Sequence, residues 1–104
     1  MNNSVMLIGR INNDIEKIED EEKTTYRLVL NISRNFKNQY GEYENDFIPI
    51  ELKSSIGNNV FQYCKKGDLV GVKARIESKE DNILQIIAER VSFLSNNRNL
   101  INQN

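Results

Sequence analysis

Apolar residues along this chain recur mainly in short alternating runs. Residues 5–11, V-M-L-I-G-R-I, are apolar and β-branched and lead into the turn-forming Asn12, Asn13 and Asp14, which predicts a first strand. Gly9 inside that run predicts a bulge or a tight bend. Over residues 25–34, Tyr26, Leu28, Leu30 and Ile32 share one face, and Arg27, Val29, Asn31 and Ser33 the other, the pattern of a half-buried strand. Residues 47–53 repeat it, with Ile48, Ile50 and Leu52 set against Phe47, Pro49, Glu51 and Lys53. Pro49 has no amide hydrogen, which predicts an edge or a bulge at that point. Residues 69–76 alternate again, Val70, Val72, Ala74 and Ile76 inward, and Leu69, Gly71, Lys73 and Arg75 outward. A last strand is predicted over residues 83–94.

The intervening segments read differently. Residues 16–23 are densely acidic and predict a solvated loop or hairpin tip, while residues 35–45 predict a long exposed connection. One helix is predicted after Lys53: Ser54 or Ser55 caps it, Ile56, Val60 and Cys64 form its apolar face beside Phe61 and Tyr63, and Lys65, Lys66 and Gly67 supply a cationic last turn and a stop. Gly57 is expected to weaken it. Residues 78–82 predict a short polar turn, and residues 95–104 an Asn-rich disordered tail after a domain of residues 1–94. The order strand, strand, strand, helix, strand, strand predicts an all-β OB-fold: a five-stranded antiparallel barrel with one α-helix between strands 3 and 4.

Composition narrows the chemistry. The chain has 104 residues, enough for one small domain with a thin core. It has no His and one Cys, so a disulfide framework within the chain, a Ser-His-Asp triad and the common zinc sites are excluded, and no metal or cofactor is expected. No run is long and apolar enough for a membrane span and no secretory leader is recognisable, so a cytoplasmic protein is expected. Net charge is −1, from 14 basic and 15 acidic residues, so partner type has to be read from where the charges lie.

Phe47 and Lys53 share the outward face of the third predicted strand, and Lys73 and Arg75 that of the fourth. Rings stack on unpaired bases while cations track phosphates, so this combination suits single-stranded nucleic acid, RNA as well as DNA. The competing reading makes Phe47 a ring covered by a neighbouring loop, and Lys53 and Lys73 ordinary solubilising charges. Phe36, Tyr40 and Tyr43 fall in the polar connection, where a stacking role, with Arg34 and Lys37 as phosphate contacts, competes with packing back onto the barrel or onto a second subunit. The acidic run at residues 16–22 would repel a phosphate chain within about 8 Å and is expected to point away from it. No nucleophile with its base, carboxylate dyad or phosphate loop is recognisable, so no enzyme is expected.

Three segments carry a family resemblance: N-S-V-M-L-I-G-R-I from Asn3, S-R-N-F-K-N-Q-Y-G-E-Y-E-N-D-F-I from Ser33, and N-V-F-Q-Y-C-K-K-G-D-L-V-G-V-K-A-R-I from Asn59. With A-E-R-V-S-F-L from Ala88, they resemble the bacterial single-stranded-DNA-binding proteins, in order and spacing, over nearly the whole chain to Leu94. The resemblance implies an OB-fold that assembles as a homotetramer, or a dimer, and binds single-stranded DNA without sequence preference or catalysis in replication, recombination or repair. It implies stacking at Phe36 and Phe47, with Arg34 as the basic companion of Phe36. Arg10 and Arg75 match positions that are basic or polar in many members. Asn3, Ser4, Val5, Met6 and Leu7 match a first strand that pairs with its copy in a second subunit.

There are departures. Lys53 stands where many members carry Trp or Phe, and the last hairpin, residues 77–82, is short and without an aromatic, which together predict weaker, more salt-sensitive binding. The acidic and hydrophobic tip that recruits replication and repair enzymes in the family is not found in N-L-I-N-Q-N, so those enzymes are not expected as partners, or the chain is an accessory paralogue of a phage or mobile element. Lys53, the acidic run and the net charge also support an alternative: an OB-fold protein-interaction module, primosomal or accessory to a mobile element, with weak or lost DNA binding.

Overall fold

A computed structural model describes residues 1–96. The elements are β1 (Val5–Ile11), β2 (Glu16–Glu19), β3 (Thr24–Lys37), β4 (Tyr43–Lys53), α1 (Ser54–Tyr63), β5 (Leu69–Ser78), a short 3-10 turn (Glu80–Asn82) and β6 (Leu84–Ser95). The sheet runs β1-β5-β6-β4-β3-β2 and closes on itself where β1 also pairs with β3, at Arg10↔Asn31 and Ile11↔Leu30. Five strands make the barrel and β2 lengthens its β3 side. The β4–β6 seam is parallel and holds a single pairing, Glu51↔Ile87. This is the OB-fold barrel with its helix between the third and fourth barrel strands.

The alternation in the sequence is the core. Leu28, Leu30, Ile50, Leu52, Val70, Val72 and Ala74 are buried, joined by Ile11, Tyr26, Val60, Cys64 and Ala88. Ile76, expected inward, is exposed, because β5 has passed the end of the closed barrel there. The helix plugs the barrel beside Tyr26, whose ring lies 5.3 Å from that of Phe61 and whose hydroxyl donates to Asn58. No serine side chain caps this helix: Lys53 is the capping residue, both serines lie inside the first turn, and the helix ends at Tyr63, so Lys65 and Lys66 follow it instead of forming its last turn.

The backbone refines three expectations. Gly9 makes no bulge, since the β1–β5 register is unbroken from Val5 to Arg10; a side chain there would strike the Asn31 carbonyl of β3 at 2.7 Å, so the glycine lets two strands approach. The acidic segment is a hairpin whose first arm, β2, pairs with β3 from Glu16↔Arg27 to Glu19↔Thr24. Its tip is fastened by Asp20, whose Oδ1 accepts the N–H groups of Glu22 and Lys23 at 2.9 Å, holding that carboxyl below its usual range. The third concerns residues 35–45: most of this connection is strand, with the chain reversing only around residues 38–42.

Pro49 occupies an edge, as expected. The Val29 carbonyl opposite it accepts from Asn12 N–H, so the Val29–Pro49 pair exchanges no bonds and the proline nitrogen faces the open β4–β6 seam. Ser95, placed in the expected disordered tail, is the last residue of β6, and the remaining tail at residues 97–104 lies outside the described residues.

Candidate nucleic-acid interface

β3 and β4 project past the barrel as a two-stranded arm, and four of the predicted aromatic residues lie along it. Phe36 is 60% exposed, Tyr40 75%, Tyr43 60% and Phe47 56%, so none of them serves the core. Phe36 and Tyr43 are strand residues and Tyr40 sits in the turn, where Asn38 Oδ1 accepts the Tyr40 and Glu42 N–H groups at 2.9 and 3.0 Å. The Lys37 ammonium stands 5.7 Å over the Tyr43 ring. At the base of the arm Asn31 pairs with Phe47 on one side and Arg10 on the other, which puts Arg10, Asn31 and Phe47 in one row on the outer surface.

The predicted basic residues divide into two groups. Arg34 donates through Nε and Nη2 to the two oxygens of Asp46 at 3.0 and 2.9 Å, and its Nη1 lies 3.6 Å from Glu44. The pairing holds the Asp46 carboxyl below its usual range and pushes the guanidinium up. Arg75 is similarly engaged, 2.8 Å from Glu77 and 3.6 Å from Glu89, and Arg10 Nη1 donates to the Gly67 carbonyl at 3.2 Å. Lys53 and Lys73 are exposed. Lys53 ends β4 and lines a recess of about 220 Å³ with Lys23 and Lys79. Lys73 lies between Met6 of β1 and Arg90 of β6, around the barrel from Phe47, whereas Arg75 pairs with Ile87 of β6, which in turn pairs with Glu51 on the outer face of β4.

One feature was missed from sequence. Where β4 and β6 diverge from their single pairing, an apolar cleft of about 350 Å³ opens, lined by Ile18, Pro49, Ile76, Ile83, Leu84 and Ile86 with Arg27, Glu51 and Lys79. Pro49 and Glu51 share the face of Phe47, so the cleft lies between that ring and Lys53. Its signal in the sequence was the pair Ile83 and Leu84, apolar residues beside a polar turn, which read simply as a strand start. The acidic tip opens instead onto a polar recess with Ser54 and Asn58 of the helix.

The expected oligomer segment also has distinct geometry. Asn3 pairs within the chain, its amide donating to the Ile76 carbonyl and accepting the Ile76 N–H at 2.7 and 2.8 Å, which prolongs the β1–β5 ladder. Ser4 is exposed, and Val5 and Leu7 are half-buried against the core. Ile11 exchanges backbone bonds with the stretch before β5, so the backbone groups of Met6 and Ile8, of the opposite parity, face away from β5. Among the described residues β3 reaches β1 only at Arg10 and Ile11 and nothing else pairs with that edge of β1.

The model of the Single-strand binding protein family matches residues 2–94. The chain belongs to this family. It is 31% identical to Single-stranded DNA-binding protein 1 of Clostridium acetobutylicum, over 95% of this chain and 99% of that protein. Single-stranded DNA-binding protein B of Bacillus subtilis is 32% identical over 90% of this chain and 91% of its own length. Among solved structures, the Plasmodium falciparum family member in complex with single-stranded DNA superposes with a TM-score of 0.71 at 21% identity, covering 91% of this chain and 96% of that one. The mitochondrial single-stranded DNA binding protein of S. cerevisiae gives 0.75 at 17% identity, covering 92% and 98%. At such identities these superpositions establish the barrel. Among the described residues no helix is long and apolar enough to cross a membrane, and no cluster of three metal-ligating side chains is present.

Proposed function

We propose that this family member binds single-stranded DNA without catalysis and without sequence preference, serving DNA replication, recombination and repair in the cytoplasm. The observation that carries the reading is the β3–β4 arm, whose four exposed rings Phe36, Tyr40, Tyr43 and Phe47 have no role in the core. Rings spaced along an arm accept successive bases on their faces, and because every base has such a face, the contact is indifferent to sequence. Lys37 near the tip of the arm and Lys53 at the far end of β4 neutralise phosphates, and the apolar cleft between Phe47 and Lys53 shelters a base from water. Arg10 shares the Phe47 row and Arg75 the Glu51 row, while Lys73 is reached by DNA that continues around the barrel.

The open edge of β1 supports assembly into a homo-oligomer, a dimer or tetramer. Backbone groups of Met6 and Ile8 there are suited to pair with the same strand of a second copy. The exposed Met6, Ile8 and Leu94 supply the apolar surface that such a contact buries. Anisotropy of a labelled oligo-dT, titrated across a salt series, tests the function. Binding with an affinity that falls log-linearly as salt rises is expected; no binding at low salt contradicts it.

A further inference from the structure

Phe36 lies in an irregular stretch of β3. Between the pairs Ser33↔Asn45 and Lys37↔Tyr43, β3 carries Arg34, Asn35 and Phe36, whereas β4 carries Glu44 alone. Two surplus residues break the ladder there, and a bulge of this kind re-aims side chains at the expense of the backbone bonds that would fix them. Something else has to hold the segment if the ring is to have one orientation.

Side chains supply that restraint on both flanks. Below the bulge Ser33 Oγ and Asn45 Oδ1 are hydrogen-bonded at 2.7 Å, and above it Lys37 covers the Tyr43 ring. Within it Arg34 spans to β4 through two parallel bonds to Asp46, with Glu44 on the remaining nitrogen. The fork geometry fixes the plane of the guanidinium, and with it the strand two residues before Phe36. Arg34, Asp46 and Glu44 together carry a net charge of −1, so the cluster by itself offers a phosphate no attraction.

We propose that Asp46 is a positioning residue for DNA binding, which through Arg34 clamps the β3 bulge so that the Phe36 ring is already in place when a base arrives. This rests on the reading that Phe36 stacks on bases. The ordering of the bulge then costs nothing further on binding, the general advantage of a preorganised site. Arg34 serves the site through the protein and not as a phosphate contact.

The chain has no tryptophan, so F36W places a single reporter at the ring. In that background D46N is expected to increase fast local motion of the indole in the free protein, measured by time-resolved anisotropy. Affinity for oligo-dT should fall about 3- to 10-fold with an unchanged log-log salt slope, and indole quenching at saturating DNA should be smaller. R34Q should behave the same way, R34Q/D46N no worse than either, and D46E should recover part of the loss. A thermal melt of each variant verifies that it is folded. Tighter binding by D46N with a steeper salt slope would overturn the proposal, because Arg34 would then be a phosphate contact masked by Asp46; unchanged indole motion would also overturn it. Failure of the unsubstituted protein to bind oligo-dT is a separate result and overturns the DNA reading itself.

Discussion

Phe47 of β4 and Arg10 of β1 flank Asn31 in a single row across three strands, which places their backbones about two strand spacings apart, roughly 10 Å. A ring and a cationic residue in one row of a sheet suit a chain of alternating base and phosphate. The arm beyond Phe47 and the cleft beside Pro49 extend this surface in both directions.

Phosphate contacts are predicted at the lysines. K37A and K53A should each flatten the log-log salt dependence of oligo-dT binding by about 0.7, the single-strand increment for one neutralised phosphate. Binding titrations at four or more salt concentrations measure this. Parallel lines for variant and parent would show that the substituted lysine meets no phosphate.

The Arg34–Asp46 pair predicts a pH dependence with a definite sign. Arg34 lowers the Asp46 carboxyl in the folded protein, so the pair's contribution is present above the unfolded carboxylate value, roughly pH 3.9, and is lost only as pH falls through the lower folded value. Carbon-detected NMR titration of Asp46 should give a midpoint below that of a free aspartate, returning toward it in R34Q. A midpoint at or above the free value in the parent would contradict the pairing.

Gly57 is predicted to resist improvement. Helix propensity alone would have Ala stabilise this position by about 1 kcal/mol. A methyl group there would meet the Tyr26 ring at well under van der Waals distance, and overpacking of that kind costs about 1–3 kcal/mol. Denaturant unfolding of G57A should therefore show a lower midpoint than the parent, and a higher one would mean that the helix moves freely away from Tyr26.

Assembly is predicted to depend on the outer face of β1. Ile8 is exposed near Leu94 across Gly71, and its backbone lies on the open edge. I8K should shift the protein toward smaller species in light scattering while leaving its melting midpoint largely intact. An unchanged mass would place the oligomer contact elsewhere.

Much of this fold was legible because a closed barrel has one inside, and burial imposes period two on every strand: Leu28, Leu30, Ile50, Leu52, Val70 and Val72 all lie where alternation placed them. What was illegible depended on partners distant in sequence. Gly57 reads as a helix weakness until Tyr26 is set against it, and Gly9 reads as a bulge until β3 approaches. Ile76 follows the inward pattern but lies beyond the barrel's end. For the site, the residue types Phe36, Tyr40, Tyr43 and Phe47 could be picked out, yet not the two surplus residues of β3, because a register shift is a relation between strands. The contacts of Arg34 with Asp46 and of Arg75 with Glu89 were hidden for the same reason, since those carboxylates come beside the arginines only through strand pairing, whereas Glu77 lies two residues along the strand from Arg75.

The central claim is that unpaired bases rest on Phe36 and Phe47, and the most direct test is the affinity of F36A/F47A for oligo-dT beside that of the parent at one fixed, low salt concentration. A loss of roughly 2 to 5 kcal/mol is predicted for two stacked bases. A double variant that binds as tightly as the parent would contradict the account.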